Sequence, residues 1–218
     1  MNTDFIKKIN FLIEKNQFDE AEKEIKDILR LDTYNTDLWL RLAVLETIPP
    51  LSYYPKAIES LNKILEYDDS NFDAILLLIC INHYMIGFIE DELINKINNI
   101  KTDDKEKLSM LEYAKCWYFQ SIDENKYVES LQKSIELYPY HVFNYEQLAQ
   151  YYKKNGEFNK ANTLIEQALK NVNFIYCEQN NKLEHDDTSI DKYFNEFVKG
   201  THITDIVYNL IKSDLTKL

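Results

Sequence analysis

The residues of this chain that could do chemistry are few, and the densest group is the run Glu184-His185-Asp186-Asp187. Its carboxylates and imidazole are side chains that bind divalent metal ions. Residues that are adjacent in a chain seldom converge on one ion, so a solvated loop is the better interpretation. We therefore predict no metal site and no cofactor. An enzyme that uses this loop is the weakest of the functional hypotheses.

The possible nucleophiles form no catalytic pattern either. Cys80, Cys116 and Cys177 have no regular spacing, and Cys80 lies in an apolar stretch where a small buried side chain is expected. The sequence has no Gly-rich phosphate loop, H-E-x-x-H, C-x-x-C or Gly-x-Ser-x-Gly motif. We predict that the protein is not an enzyme. The odd cysteine count and an N-terminus without a signal-peptide core favour a reducing, cytoplasmic setting.

Composition points to a helical protein that binds neither nucleic acid nor membrane. Only three glycines and four prolines occur in 218 residues, which leaves little material for β-turns. The formal net charge of −12 opposes contact with nucleic acid and anionic lipid, and favours a basic protein partner or simple solubility. The longest apolar run, residues 74–81, is too short to span a bilayer.

The elements that position all other residues are paired helices, and residues 142–172 contain the clearest pair. Two amphipathic stripes are separated by Gly156, which suits the positive φ of a tight turn. The first stripe is Tyr145, Leu148, Ala149 and Tyr152, and the second is Phe158, Ala161, Ile165, Ala168 and Leu169. A lone pair leaves apolar faces exposed and therefore needs neighbours of the same kind.

These residues resemble the tetratricopeptide repeat, a helix-turn-helix unit of about 34 residues with the pattern W-x2-L-G-x2-Y, A-x3-F, A, P. Tyr145 stands in the place of Trp, Ala149 of Gly, Ile165 of Phe and Asn173 of Pro. The resemblance implies an all-α, right-handed α-α superhelix of about five to six helix pairs. Residues 1–173 would hold the repeats, and residues 174–218 atypical capping helices, within a single domain.

Weaker copies recur along the chain. Residues 5–31 form a copy without a turn glycine, and Trp39-x2-Leu42-Ala43 opens another copy, in which Glu46 replaces an aromatic residue. Pro49-Pro50 must stop that helix. A third copy begins near residue 71, with Ser70 or Asp69 as its N-cap and Gly87 at its turn. The pair at residues 105–137 is a fourth, whose register is left open.

The C-terminal part lacks the repeat pattern. We predict a polar loop at residues 178–187, then a helix that starts at Thr188 and ends at Gly200-Thr201, and a last helix with the stripe Ile203, Ile206, Val207, Leu210 and Ile211. These helices are expected to cap the repeats. The alternative is that the last helix docks into the groove.

The family's ligand-facing positions on the first helix of each pair imply a concave binding surface. Carried over residue by residue, these positions are Asn10, Leu40, Arg41, Val44, Leu77, Ile81, Tyr84, Phe143, Glu146, Gln150 and Lys153. The basic clamp of the family's chaperone-binding branch is missing, since Leu77 and Ile81 are apolar. The apolar middle of the surface either receives an amphipathic helix or peptide from a partner, or is buried by the chain itself.

The leading hypothesis is a non-enzymatic adaptor that binds a partner protein in this groove. The rival is an acidic, immunity-type inhibitor that blocks a basic enzyme such as a toxin nuclease. Salt distinguishes the two, because acidic-surface binding weakens with ionic strength and apolar-groove binding does not. The sequence leaves the partner and the oligomeric state open.

Overall fold

The computed structural model describes residues 3–181, 189–194, 198 and 205–218, and all regular secondary structure in these residues is helical. The prediction of an all-α chain is therefore confirmed. In chain order the helices of the first half are α1 (Thr3–Glu14), α2 (Phe18–Leu29), α3 (Thr36–Thr47), α4 (Tyr54–Tyr67), α5 (Phe72–Ile81) and α6 (Asp91–Asn99). They are followed by α7 (Lys105–Phe119), α8 (Glu124–Leu137), α9 (Val142–Lys154), α10 (Phe158–Asn181), α11 (Ser189–Tyr193) and α12 (Asp205–Lys217).

The helices form two compact units. Unit 1 contains α1 to α6 and α11, and unit 2 contains α7 to α10 and α12. In unit 1 each helix from α1 to α6 contacts its neighbour in the chain, and α3 also contacts α5. Alanines without exposed surface lie on α2, α3 and α4, namely Ala21, Ala43 and Ala57. Their small side chains let the helix backbones approach closely, as the repeat pattern predicts.

The turns within the helix pairs depend on residues with positive φ. Gly156 has φ +77° and Gly87 has φ +76°, so both predicted turn glycines lie in the left-handed region. In the first pair Asn16 takes the same place with φ +57°. The backbone N–H of Gln17 donates to the Leu12 carbonyl at 2.8 Å, which is the same closing hydrogen bond as the one after Gly156. Asparagine is the side chain that best tolerates this conformation, so the first pair keeps its turn without glycine.

In unit 2 successive helices from α7 to α10 contact one another, and α12 contacts α10. One hydrophobic cluster joins α9, α10 and α12 through Val142, Tyr145, Ala168, Val172, Ile211 and Leu215. Helix α12 therefore covers the pair α9–α10, whereas α11, the other helix expected to cap the repeats, lies in unit 1 against α1 and α3. The exposed face of α12 carries Lys217 and Thr216, as expected of the last helix in a stack.

Some sequence-based expectations were wrong in detail. The N-cap of α5 is Asn71, whose side-chain oxygen accepts from the Ala74 N–H at 3.1 Å, and not Ser70 or Asp69. Both of those residues lie within the turn that the Asn71 N–H closes by donating to the Asp68 carbonyl at 3.1 Å. Phe158 opens the second predicted stripe but does not pack between the helices, because as the first residue of α10 it stays 60% exposed.

The predicted loop at residues 178–187 was also wrong in its first part. Helix α10 continues to Asn181, because no glycine or proline interrupts residues 158–181. The rest of that loop, with Glu184 and His185, lies outside the described residues. So do Thr188, Gly200, Thr201 and Ile203.

Candidate binding surfaces

The short helix α11 lies against the first helices of two pairs in unit 1. It contacts both α1 and α3. Ile190 of α11 is buried, and so are Phe194 and Val198, which follow this helix. We use the name α11 surface for the part of α1 and α3 that α11 covers, which includes Arg41 and Thr47 of α3. The nearby Cys80 of α5 adjoins it. The α11 surface is where the repeat resemblance places a ligand, and here it holds a segment of the chain itself.

An ion pair fixes the polar side of α11. Arg41 of α3 directs Nη1 to both carboxylate oxygens of Asp191, at 3.2 Å and 3.3 Å. The Arg41 side chain is only 17% exposed and also contacts Asp37 through Nε at 3.3 Å. A partly buried arginine that faces two carboxylates forms charge-assisted hydrogen bonds, which are stronger than those of an exposed pair. Arg41 therefore holds the Asp191 carboxylate at the α11 surface.

Tyr193 extends the contact of α11 toward the other end of α3 and toward α5. Burial raises the pKa of the Tyr193 hydroxyl, which also forms a hydrogen bond with Thr47. Tyr193 lies close enough to Cys80 of α5 for that thiol to raise its pKa further. Cys80 is buried, and burial raises the pKa of its thiol to about 12. Cys80 is therefore a buried thiol of α5 that lies near Tyr193 of α11.

The predicted ligand-facing residues of unit 1 fall into two groups. Val44, Leu77 and Ile81 are buried, and in this conformation they belong to the core of unit 1 and cannot contact a partner. Asn10, Leu40 and Arg41 are half-buried, whereas Tyr84 is exposed. Leu77 and Ile81 lie on α5, which packs against α3, α4 and α6, whereas Val44 lies on α3, which α11 contacts.

The predicted residues of unit 2 all lie on α9. Phe143 packs against the cluster that includes α12, and Glu146 and Lys153 are half-buried, while Gln150 is exposed. Burial raises the pKa of the Glu146 carboxyl, and the nearby carboxylate of Asp214 on α12 raises it further. Gln150 donates to Glu146 Oε1 at 3.0 Å. Helix α12 therefore borders this part of the predicted surface.

Sequence reasoning missed an exposed apolar patch after α5. Helix α5 continues into a π-helical turn, Asn82–Ile86, and the predicted single helix therefore changes type before Gly87. Tyr84, Met85, Ile86 and Phe88 are each more than half exposed. We call these four side chains the 84–88 patch. Only Tyr84 belonged to the predicted surface, although the Gly87 turn signal and the apolar residues around it were visible in the sequence.

A buried Ser-His arrangement in unit 2 supports packing. Ser109 Oγ lies 2.8 Å from Ser134 Oγ and 3.3 Å from His141 Nδ1, and Asn144 Nδ2 donates to Ser134 Oγ at 2.7 Å. Ser109 and Ser134 have no exposed surface, so no substrate reaches either hydroxyl. The two serines occupy the contact between α7 and α8, where small side chains let the helices approach.

The remaining features of the described residues concern a buried thiol, the metal-binding side chains and the length of the helices. Burial raises the pKa of the Cys116 thiol well above its ordinary value, so this thiol stays protonated and unreactive. No group of three or more metal-binding side chains is present within residues 3–181 or the described C-terminal segments. No helix in that part of the chain has the length and apolar character needed to cross a bilayer.

Comparison with known proteins identifies the fold. No protein-family model matches the chain, and no curated protein does. Among solved structures, a crystal structure of MamA aligns over 84% of this chain and 98% of its own, with 23% identity and a TM-score of 0.57. MamA from Desulfovibrio magneticus RS-1 aligns over 83% and 96%, with 12% identity and a TM-score of 0.60.

This chain has the fold of MamA. MamA is a helical solenoid of the tetratricopeptide type, so the fold class predicted from the repeat pattern is confirmed. The identities to MamA are too low to carry over more than the fold. The binding surfaces of this chain therefore follow from its own residues.

Proposed function

We propose that this protein is a non-enzymatic interaction module whose α11 surface binds a short helical segment of another protein. The observation that supports this is α11 itself, a helical segment bound by apolar and ionic contacts to α1 and α3. It represents the ligand chemistry that the surface fits. A partner segment would carry an apolar residue, a carboxylate next to it and an aromatic residue one turn later, as Ile190, Asp191 and Phe194 do.

The energetics require the partner to displace α11. A buried isoleucine or phenylalanine contributes about 1.5–3 kcal/mol relative to an exposed one, and both Ile190 of α11 and Phe194 directly after it are buried. A segment tethered to its own binding surface also has an effective concentration on the order of millimolar. A partner must therefore add contacts that α11 lacks. Asn10 and Leu40 are half-buried on α1 and α3, the two helices that α11 contacts. Displacement of α11 would expose these two side chains further.

A peptide experiment tests this proposal. The full chain with Ile190→Ala and Phe194→Ala would be titrated with a fluorescent peptide of the sequence of residues 187–198. The peptide should bind this variant about tenfold more tightly than it binds wild type, where the intact segment competes. Adding Arg41→Ala to the variant should weaken the peptide about tenfold, because its carboxylate loses a charge-assisted partner.

The control peptide has aspartate in place of the residues that correspond to Ile190 and Phe194, and it should not bind. Peptide binding that is equal in wild type and variant would contradict displacement of α11. Peptide affinity that is unchanged by Arg41→Ala would contradict the proposed recognition of a carboxylate.

The rival function is an acidic inhibitor of a basic enzyme. Its support is the formal net charge of −12 and the exposed carboxylates of Glu90, Asp91 and Glu92 at the start of α6. Such binding should weaken steeply between about 50 and 300 mM salt, whereas apolar docking at the α11 surface should not. The buried free thiols Cys80 and Cys116 support the reducing, cytoplasmic setting proposed for either function.

A further inference from the structure

The 84–88 patch combines unusual exposure with a defined backbone. Tyr84 is 59% exposed, Met85 53%, Ile86 55% and Phe88 62%. The N–H groups of Gly87 and Phe88 both donate to the Asn82 carbonyl, at 2.8 Å and 3.2 Å, so the turn that presents the patch is closed by hydrogen bonds. The His83 ring contacts Tyr84 edge-on, with 4.6 Å between ring centroids. The patch is therefore held in place by the turn.

The change of helix type coincides with the change from core to surface. Every residue from Ala74 to Ile81 is buried on α5, and the π-helical turn follows immediately. π-helical turns are rare and are frequent at functional sites. Each large apolar side chain that stays exposed lacks the stabilisation of about 1.5–3 kcal/mol that its burial would contribute. Four such side chains within five residues are more typical of a surface that binds another molecule than of an ordinary solvent-exposed surface.

The surroundings of the patch are acidic. Glu90, Asp91 and Glu92 follow the patch after one buried residue, Ile89, and are exposed. Within α6 the single cation is Lys96, which pairs with Glu92 at 3.4 Å. Burial lowers the pKa of His83, so its imidazole adds no positive charge at neutral pH. The patch thus presents an apolar centre with carboxylates on one side.

We propose that the 84–88 patch is a second docking surface, which binds a basic amphipathic segment of a partner protein. Apolar side chains of that segment would cover Phe88 and Ile86, and its lysines or arginines would face Glu90 and Glu92. Charge complementarity decides the partner. An anionic bilayer or a second copy of this chain, with its net charge of −12, would be repelled by the same carboxylates. The surface is separate from the α11 surface and does not depend on the function proposed there.

Two synthetic helical peptides of equal length test the proposal against the full chain. They share a leucine face, and one carries lysines on its polar face where the other carries glutamates. The lysine peptide should bind wild type about tenfold more tightly than the glutamate peptide at about 50 mM salt. The variant Met85→Ser/Ile86→Ser/Phe88→Ser should bind the lysine peptide about tenfold more weakly. The charge variant Glu90→Gln/Glu92→Gln should lose the preference for lysine.

The matched control is Ile122→Ser/Phe158→Ser, which removes two equally exposed apolar side chains of unit 2 and should leave binding unchanged. Circular dichroism confirms that each variant is folded. An equal loss in the control, or no loss in the patch variant, overturns the proposal. So does binding of phosphatidylcholine–phosphatidylserine vesicles that requires Phe88, or a concentration-dependent dimer that the patch variant abolishes.

Discussion

Replacing Ile190 with alanine should release α11 from unit 1 and make Cys80 reactive. Ile190 is 2% exposed, and truncating a buried isoleucine to alanine costs about 2–5 kcal/mol. The lower end of this range applies here, because α11 is a short segment whose surroundings can relax after the truncation. A loss of about 2 kcal/mol reduces the docking equilibrium constant roughly 30-fold. The fraction of molecules in which the α11 surface is open should rise by the same factor.

The assay is the rate at which an aromatic disulfide reagent modifies Cys80 in a chain that also carries Cys116→Ser and Cys177→Ser. In the closed state burial blocks the reagent and raises the pKa of the Cys80 thiol to about 12. Opening restores access and an ordinary thiol pKa, so the observed rate follows the open fraction. Ile190→Ala should therefore accelerate modification roughly 30-fold. Leu31→Ala, at a residue that is 89% exposed, is the matched control and should leave the rate unchanged.

Two results would refute the reasoning. If the Cys80 rate stays unchanged while the free energy of unfolding falls, Ile190 belongs to the core of unit 1, and α11 is not a separable segment. In a second variant Cys116 is kept as the only cysteine. If its modification rate rises by the same factor, the Ile190→Ala substitution has increased global unfolding. Cys116 lies in unit 2 and is fully buried there, so its modification rate should respond to global unfolding and not to release of α11.

Five further substitutions test the packing of the two units by urea unfolding. Gly156→Ala should lower the free energy of unfolding by about 1 kcal/mol, since φ is +77° and only backbone strain opposes the added methyl, whereas Asn16→Gly should not destabilise. Ser134→Ala should cost about 2 kcal/mol and Ser109→Ala about 1 kcal/mol, because only the first also removes the acceptor of the Asn144 amide. Burial raises the pKa of Glu46, so its contribution to stability is full below the unfolded pKa and is lost as the pH rises through the folded pKa. Glu46→Gln should therefore raise the free energy of unfolding near pH 7, with a gain that shrinks toward about pH 4, and loss of stability at neutral pH would contradict this sign.

The helix pairs could be predicted because their pattern is local. A stripe at helical spacing, an alanine and a turn residue are all read within one pair, and Ala149, Ala161 and Gly156 behave as expected. Helix ends were less certain, because capping is decided by single hydrogen bonds such as that from Ala74 to Asn71. The single-domain organisation stays a prediction.

What covers the predicted concave surface could not be predicted, because that depends on contacts between residues that are distant in sequence. Arg41 and Asp191 are 150 positions apart and meet only when α11 lies on α3. Nothing in the local pattern around Val44 shows that a later segment covers α3. The 84–88 patch was missed for a different reason. Its apolar residues continue the stripe of α5, and a stripe does not reveal where the helix changes to a π-helical turn.

The departures from the repeat pattern are the better guide to function. Residues that match the pattern, such as Ala149 and Tyr152, are buried between helices and are therefore committed to packing. Unit 1 departs from the pattern at Glu46, a buried carboxylate in the place of an aromatic residue, and again where α5 ends in a π-helical turn. Packing alone requires neither change. The α11 surface and the 84–88 patch both lie in this unit, so the partner should be sought through unit 1, although unit 2 carries the clearest repeat.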